Sequence, residues 1–150
     1  MVGAFEWQDA FIGTMRFLPM GKGLSPVEGL LRERGAAALA TRGNWEFGRL
    51  VLDPAYRAGP ELLNKCVFLA VSHLASEFHC NYAFASCTPV LSRLYRRFGF
   101  SVIANDVRVP GDEKPYHLIQ ASIADVLESS AGTPAERQLA RRLGGVAMAA

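Results

Sequence analysis

The sequence predicts an α/β (α+β) domain, a mixed sheet with helices packed against it. Three observations predict this. Strand-like and helix-like segments alternate along most of the chain. Residues 62–78 carry one apolar face at spacings of three and four: Leu62, Leu63, Cys66, Val67, Ala70, Val71, Leu74, Ala75 and Phe78. Half of the 150 residues are apolar and only 20% are charged, enough to bury a core and too apolar for a disordered chain.

Residues 10–18 alternate as a strand, which Pro19 ends because proline has no amide to give a ladder. Gly21-Lys22-Gly23 makes a loop. Ser25 caps a short helix with Pro26 at its first position, running to about Arg34 and stopping near Gly35. Trp45–Leu52 is a second strand, closed by Asp53-Pro54. After a turn at 56–60, Pro60 and Glu61 begin the long helix, where a proline and an acid are favoured. Tyr82–Cys87 is a short strand, and Pro89 starts a helix through Phe98 that Gly99 stops. Segments 100–103 and 107–109 read as two strands, with a turn at 110–112. A last strand covers 116–123, and a helix follows over 123–130. The domain is expected over 1–130. Residues 131–150 form a C-terminal basic helix over 135–143 and a frayed end.

Sixteen basic residues against fourteen acidic give a net charge of +2, without the basic excess of a nucleic-acid binder. No apolar run approaches the roughly 18 residues that cross a membrane. No basic segment followed by an apolar run marks the N-terminus for secretion, so a cytoplasmic protein is expected. Cys66, Cys80 and Cys87 are odd in number and lack CxxC spacing, which argues against a disulfide framework and a structural zinc site. His73, His79 and His117 are not spaced as metal ligands either, and no metal is expected.

No nucleophile elbow, Walker loop, dinucleotide fingerprint or HExxH is present. Three other features carry polar groups into apolar surroundings. Arg16 lies in an apolar strand, where burial is costly unless it is paired. Glu46 and Arg49 lie in another. Spacing three puts them on opposite faces unless a bulge intervenes, and Gly48 is the position to mark one. Leu94-Tyr95-Arg96-Arg97-Phe98-Gly99-Phe100 is an aromatic and basic helix end. Each has a plain structural alternative. Arg16 and Glu46 can pair across neighbouring strands, Arg96 and Arg97 can complement a helix dipole, and Tyr95 can be a core residue.

The tyrosine followed by Gly99-Phe100 resembles the late signature of the GNAT acyltransferase superfamily. Met15-Arg16-Phe17-Leu18-Pro19 and Trp45-Glu46-Phe47-Gly48-Arg49 resemble the branch of N-acyl amino acid synthases and acyl-homoserine-lactone (autoinducer) synthases. The resemblance covers roughly residues 9–128. It implies a GNAT-like fold with a mixed, mostly antiparallel central sheet, here with the elements before the Arg16 strand shortened. It also implies an N-acyltransferase moving an acyl group, of long chain, from a thioester donor to the amine of an amino acid or similar small molecule. No permanently bound cofactor is implied; acyl carrier protein or acyl-CoA is the cosubstrate. A carrier protein and a second copy of the chain are the macromolecular partners to consider.

The resemblance also implies roles. Glu46 is the candidate base and Tyr95 the candidate acid for the departing thiolate. Arg16 and Arg49 hold the acceptor carboxylate or shape the Glu46 site. The donor enters between two splayed strands, near Leu50, Val51, Leu52 and the 82–87 segment with Ser86, and Arg57 faces its phosphate side. Arg93, Arg96 and Arg97 offer a basic patch to an acidic carrier. The family's pyrophosphate turn is altered here to Arg57-Ala58-Gly59-Pro60-Glu61-Leu62. A proline and a leucine replace its glycines, which favours a carrier-protein donor over coenzyme A. The alternatives are an ordinary acetyl-CoA-dependent N-acetyltransferase and a non-catalytic acyl-binding module.

Overall fold

The chain opens on a hairpin that no sequence signal announced. In the computed structural model, which describes residues 1–57 and 59–149, β1 (Val2–Trp7) runs antiparallel to β2 (Ala10–Pro19). Trp7 pairs with Ala10, so Gln8 and Asp9 alone make the turn, at φ 48° and 63°. Two positive φ angles define the primed turn whose twist suits a hairpin. Its usual marker is a glycine after Asn or Asp, which Gln8-Asp9 lacks.

Six strands form one sheet in the order β1-β2-β3-β4-β6-β5, with β3 at Trp45–Leu52, β4 at Tyr82–Cys87, β5 at Ser101–Arg108 and β6 at Pro115–Ser122. All neighbours are antiparallel except β3 and β4. The mixed, mostly antiparallel sheet is the one expected. The two strands expected at 100–103 and 107–109 are instead the single strand β5, whose register slips on either side of Ala104. Asp106, at φ 54°, lies within the second of these slips.

The helices are α1 (Pro26–Glu33), α2 (Pro60–Glu77), α3 (Pro89–Arg96), α4 (Ile123–Ser130) and α5 (Pro134–Ala149). Four of the five begin at a proline, whose missing amide costs nothing in a first turn. Helix α5 continues past the expected end at Leu143 to Ala149; Ala150 lies outside the described residues. Ala140 reaches the core, and Lys65 Nζ on α2 meets Glu136 on α5 at 2.6 Å.

The sheet separates two apolar layers. On one face Phe17, Phe47, Ala83 and Ala85 pack with Val71 and Leu74 of α2, Val126 and Leu127 of α4, and Tyr95 of α3. On the other, Phe84 and Leu118 pack with Met20 and with Val27, Leu30 and Leu31 of α1. Strand alternation therefore sends Phe47 into the first layer and its neighbour Glu46 toward α1.

Candidate active site

The site begins with an irregularity in β3. Arg16 pairs with Gly48, but Thr14 pairs with Val51, so Arg49 and Leu50 together oppose Met15. This is a β-bulge, one residue beyond the position that Gly48 suggested. Arg49 takes φ 51°, in the left-handed region that costs a non-glycine residue about 1–2 kcal/mol. The extra residue shifts the alternation. Leu50 and Leu52 join the layer of Phe47, and Arg49 is exposed.

Glu46 is the buried acid of the site, 5% exposed. Its Oε2 accepts from the Ser25 hydroxyl and from the Val27 amide at 3.3 Å. Its Oε1 faces Arg16 Nη2 at 3.6 Å. The cross-strand pair is real, and it does not use up the arginine. Among the described residues, Arg16 Nε is the one buried side-chain nitrogen or oxygen with no hydrogen-bond partner. A Cβ at Gly48 would lie 3.4 Å from Arg16 Nη2 and 3.9 Å from Glu46 Oε1, so the bare glycine borders both groups.

β3 and β4 are joined only at Trp45–Ala83 and Glu46–Phe84. Past that rung β4 continues to Cys87 paired only to β6, and β3 continues to Leu52 paired only to β2. Parallel strands that part in this way leave backbone amides and carbonyls free along both edges of a gap. A cavity of about 590 Å³ is lined by Leu50 and Leu52 of β3, by Arg57, Gly59, Pro60 and Leu63, and by Leu91, Leu94, Tyr95 and Arg97.

Tyr95 sits at this cavity on the face of the sheet opposite to Glu46. It is 7% exposed, its ring edge-on to Phe100 at 5.3 Å. Burial, and secondarily Cys87, push its hydroxyl up to about 12. Among the described residues that hydroxyl has no hydrogen-bond partner, and unlike Arg16 Nε it is not fully enclosed. The candidate acid and base are thus not in contact, and the gap between β3 and β4 separates them.

The remaining predicted residues divide. Leu50, Leu52, Arg57 and Arg97 line the cavity; Val51 points away from it, 52% exposed, and half-buried Ser86 does not line it. Arg93 and Arg96 are exposed on the last turn of α3. Arg57 Nε donates to the Leu52 carbonyl at 2.6 Å. A Cβ on Gly59 would lie 2.6 Å from Glu61 Oε2, so that carboxylate folds over the start of α2. Among the described residues no cluster of His, Cys, Asp and Glu could hold a metal. All three cysteines are buried free thiols, and burial pushes Cys80 up to about 12 and Cys87 up to about 11.

A family profile described as N-acyl amino acid synthase FeeM matches residues 1–122. The chain belongs to the FeeM family of N-acyl amino acid synthases. It is thereby an acyltransferase. Solved structures show the same fold. The structure of FeeM, from uncultured soil microbes, aligns at TM-score 0.64 with 19% identity, over 81% of this chain and 71% of that one. MesI, a CoA-dependent acyl-homoserine lactone synthase, aligns at 0.60 with 14% identity, over 92% and 65%. The AHL synthase LasI aligns at 0.59 with 15% identity, over 83% and 65%. This chain therefore spans slightly less than two thirds of the length of those last two. No curated protein sequence matches it.

Sequence reasoning missed three contributors in this family member. Ser25 was read only as a helix cap, yet its hydroxyl turns to Glu46 and makes no cap bond. Leu91 and Leu94 lie in the helix expected from Pro89, and the residues signal nothing more until α3 is placed beside β3.

Proposed function

We propose that this chain transfers a long-chain acyl group from the thioester of an acyl carrier protein to the amine of an amino acid or similar small acid. The observation that carries the proposal is the unpartnered Arg16 Nε beside buried Glu46, at the vertex of the β3–β4 gap. A guanidinium with a spare buried donor suits a carboxylate, and an acid next to it suits the amine of the same molecule. Exposed Arg49, three residues further along β3, adds a second cation.

Amide formation joins the amine nitrogen to the carbonyl carbon as the carbon–sulfur bond breaks. Glu46 takes the proton that the nitrogen loses. Tyr95 meets the departing sulfur. An unburied thiol titrates near 9.0, about three units below the hydroxyl at about 12. The hydroxyl therefore donates a hydrogen bond to the developing thiolate more readily than it gives up its proton. The leucines of the cavity favour a hydrocarbon chain.

The choice of donor rests on the start of α2. Pro60 removes an amide, Glu61 brings negative charge, and Arg57 is engaged with Leu52, a poor setting for the pyrophosphate of coenzyme A. Phosphopantetheine on a carrier makes no such demand, and the same features weigh against an ordinary acetyl-CoA enzyme. The test is to incubate the protein with acylated carrier protein, or with acyl-CoA, and a mixture of amino acids, and to search for N-acyl products by mass spectrometry. N-acyl amino acids from the carrier donor are expected. Donor binding without any product overturns the reading in favour of a non-catalytic module.

A further inference from the structure

Ser25 occupies the N-cap of α1 with extended backbone, and it is 5% exposed. An N-cap serine ordinarily accepts a hydrogen bond from an amide of the first turn. Here the Glu46 carboxylate has that role, taking the Val27 amide at 3.3 Å, and the serine hydroxyl donates to the same oxygen, Oε2. The other oxygen of Glu46 faces Arg16. Oε2 is therefore hydrogen-bonded twice inside a buried site, while Oε1 meets the guanidinium only at ion-pair distance. The hydroxyl of Ser25, its only proton committed to the acid, keeps its lone pairs: among the described residues no donor reaches Oγ. A buried base can collect a proton through a hydroxyl already hydrogen-bonded to it, and Ser25 holds that place on Oε2.

We propose that Ser25 is the proton relay between the attacking amine and Glu46, an inference that rests on the acyl-transfer reading above. As the nitrogen bonds to the thioester carbon, its N–H bond breaks and an O–H bond forms at Ser25 Oγ. The original O–H bond of Ser25 breaks and its proton passes to Glu46 Oε2. Ser25 ends unchanged, Glu46 holds one proton, and the sulfur leaves with the electron pair of the carbon–sulfur bond. That proton later returns through solvent to the thiolate.

The experiment compares wild type with Ser25→Ala, Ser25→Gly and Ser25→Thr on the donor and amine that wild type uses. Glycine guards against misfolding, since at an N-cap it costs only a few tenths of a kcal/mol. Removing the hydroxyl lowers kcat by about 10²-fold with little change in KM, and threonine restores most of the rate. A proton inventory in mixed H₂O and D₂O is bowed for wild type, with two protons in flight, and linear for the alanine and glycine variants. Wild-type kcat in those variants, or a threonine variant as slow as alanine, overturns the relay alone. A wild type with no product from any donor overturns the acyl-transfer reading, and the relay with it.

Discussion

Glu46 and Phe84 face each other across the last rung that joins β3 to β4, and beyond them the two strands share no further pairs. The two side chains of adjacent β3 positions, Glu46 and Phe47, go to opposite layers. An acid thus stands where the sheet opens, with the apolar cavity on the far side of the opening.

Replacing the acid while keeping its shape separates chemistry from folding. Glu46→Gln retains an oxygen to accept from Ser25 and Val27 and loses only the charge that faces Arg16. We expect turnover to fall by about 10²–10⁴-fold, with the melting temperature lowered by only a few degrees. Steady-state kinetics and a thermal melt check this, and a variant retaining full activity removes Glu46 as the base.

Tyr95→Phe deletes one oxygen and keeps the ring against Phe100. The expected result is a loss of roughly 10-fold or more in kcat, larger for donors with poorer thiolate leaving groups. A loss that is the same for every leaving group places Tyr95 with the core residues instead.

Charge reversal on the exposed end of α3 tests the carrier. Arg93→Glu with Arg96→Glu should raise KM for an acylated carrier protein by about 10-fold at low salt and leave KM for acyl-CoA nearly unchanged. The difference should shrink as salt is added. Equal effects on both donors argue against docking at this surface.

Alkali should unfold this protein earlier than its charge suggests. Cys80, Cys87 and Tyr95 titrate higher when folded, at about 12, 11 and 12, against ordinary values of 9.0 for the thiols and 10.0 for the hydroxyl. Well below pH 9, near pH 7, all three hold their protons in both states and stability does not depend on them. Above it the unfolded chain releases protons that the folded chain retains, so stability falls as pH rises from 9 toward 12. Denaturant midpoints at pH 7, 9 and 10.5 measure this, and equal midpoints at all three would contradict the buried thiols.

The legible parts of the fold were those with strong local signals. The 3.6 period of α2, the prolines at helix starts and Gly99 after α3 are each written in a few adjacent residues. The hairpin of β1 was not legible, because its turn is held by the backbone of Gln8 and Asp9 and not by a glycine. In the site, Arg16 and Glu46 stood out as charges inside apolar strands. Their roles depend on register: the bulge at Arg49 is one residue away from the glycine that hinted at it, and Ser25 meets Glu46 across 21 residues of chain. No local pattern records either. The cavity is assembled from β3, α2 and α3, so its leucines looked like ordinary packing until those elements were adjacent.

Without the extra residue at Arg49, β3 would alternate evenly, and Glu46, Gly48, Leu50 and Leu52 would all point the same way. The acid and the hydrocarbon floor would then compete for one side of the sheet. One inserted residue divides the strand into two reading frames, one turned to the buried acid and one to the apolar cavity. Removing either Arg49 or Leu50 would therefore do more than shorten a strand; it would turn the floor of the cavity to the side of the acid.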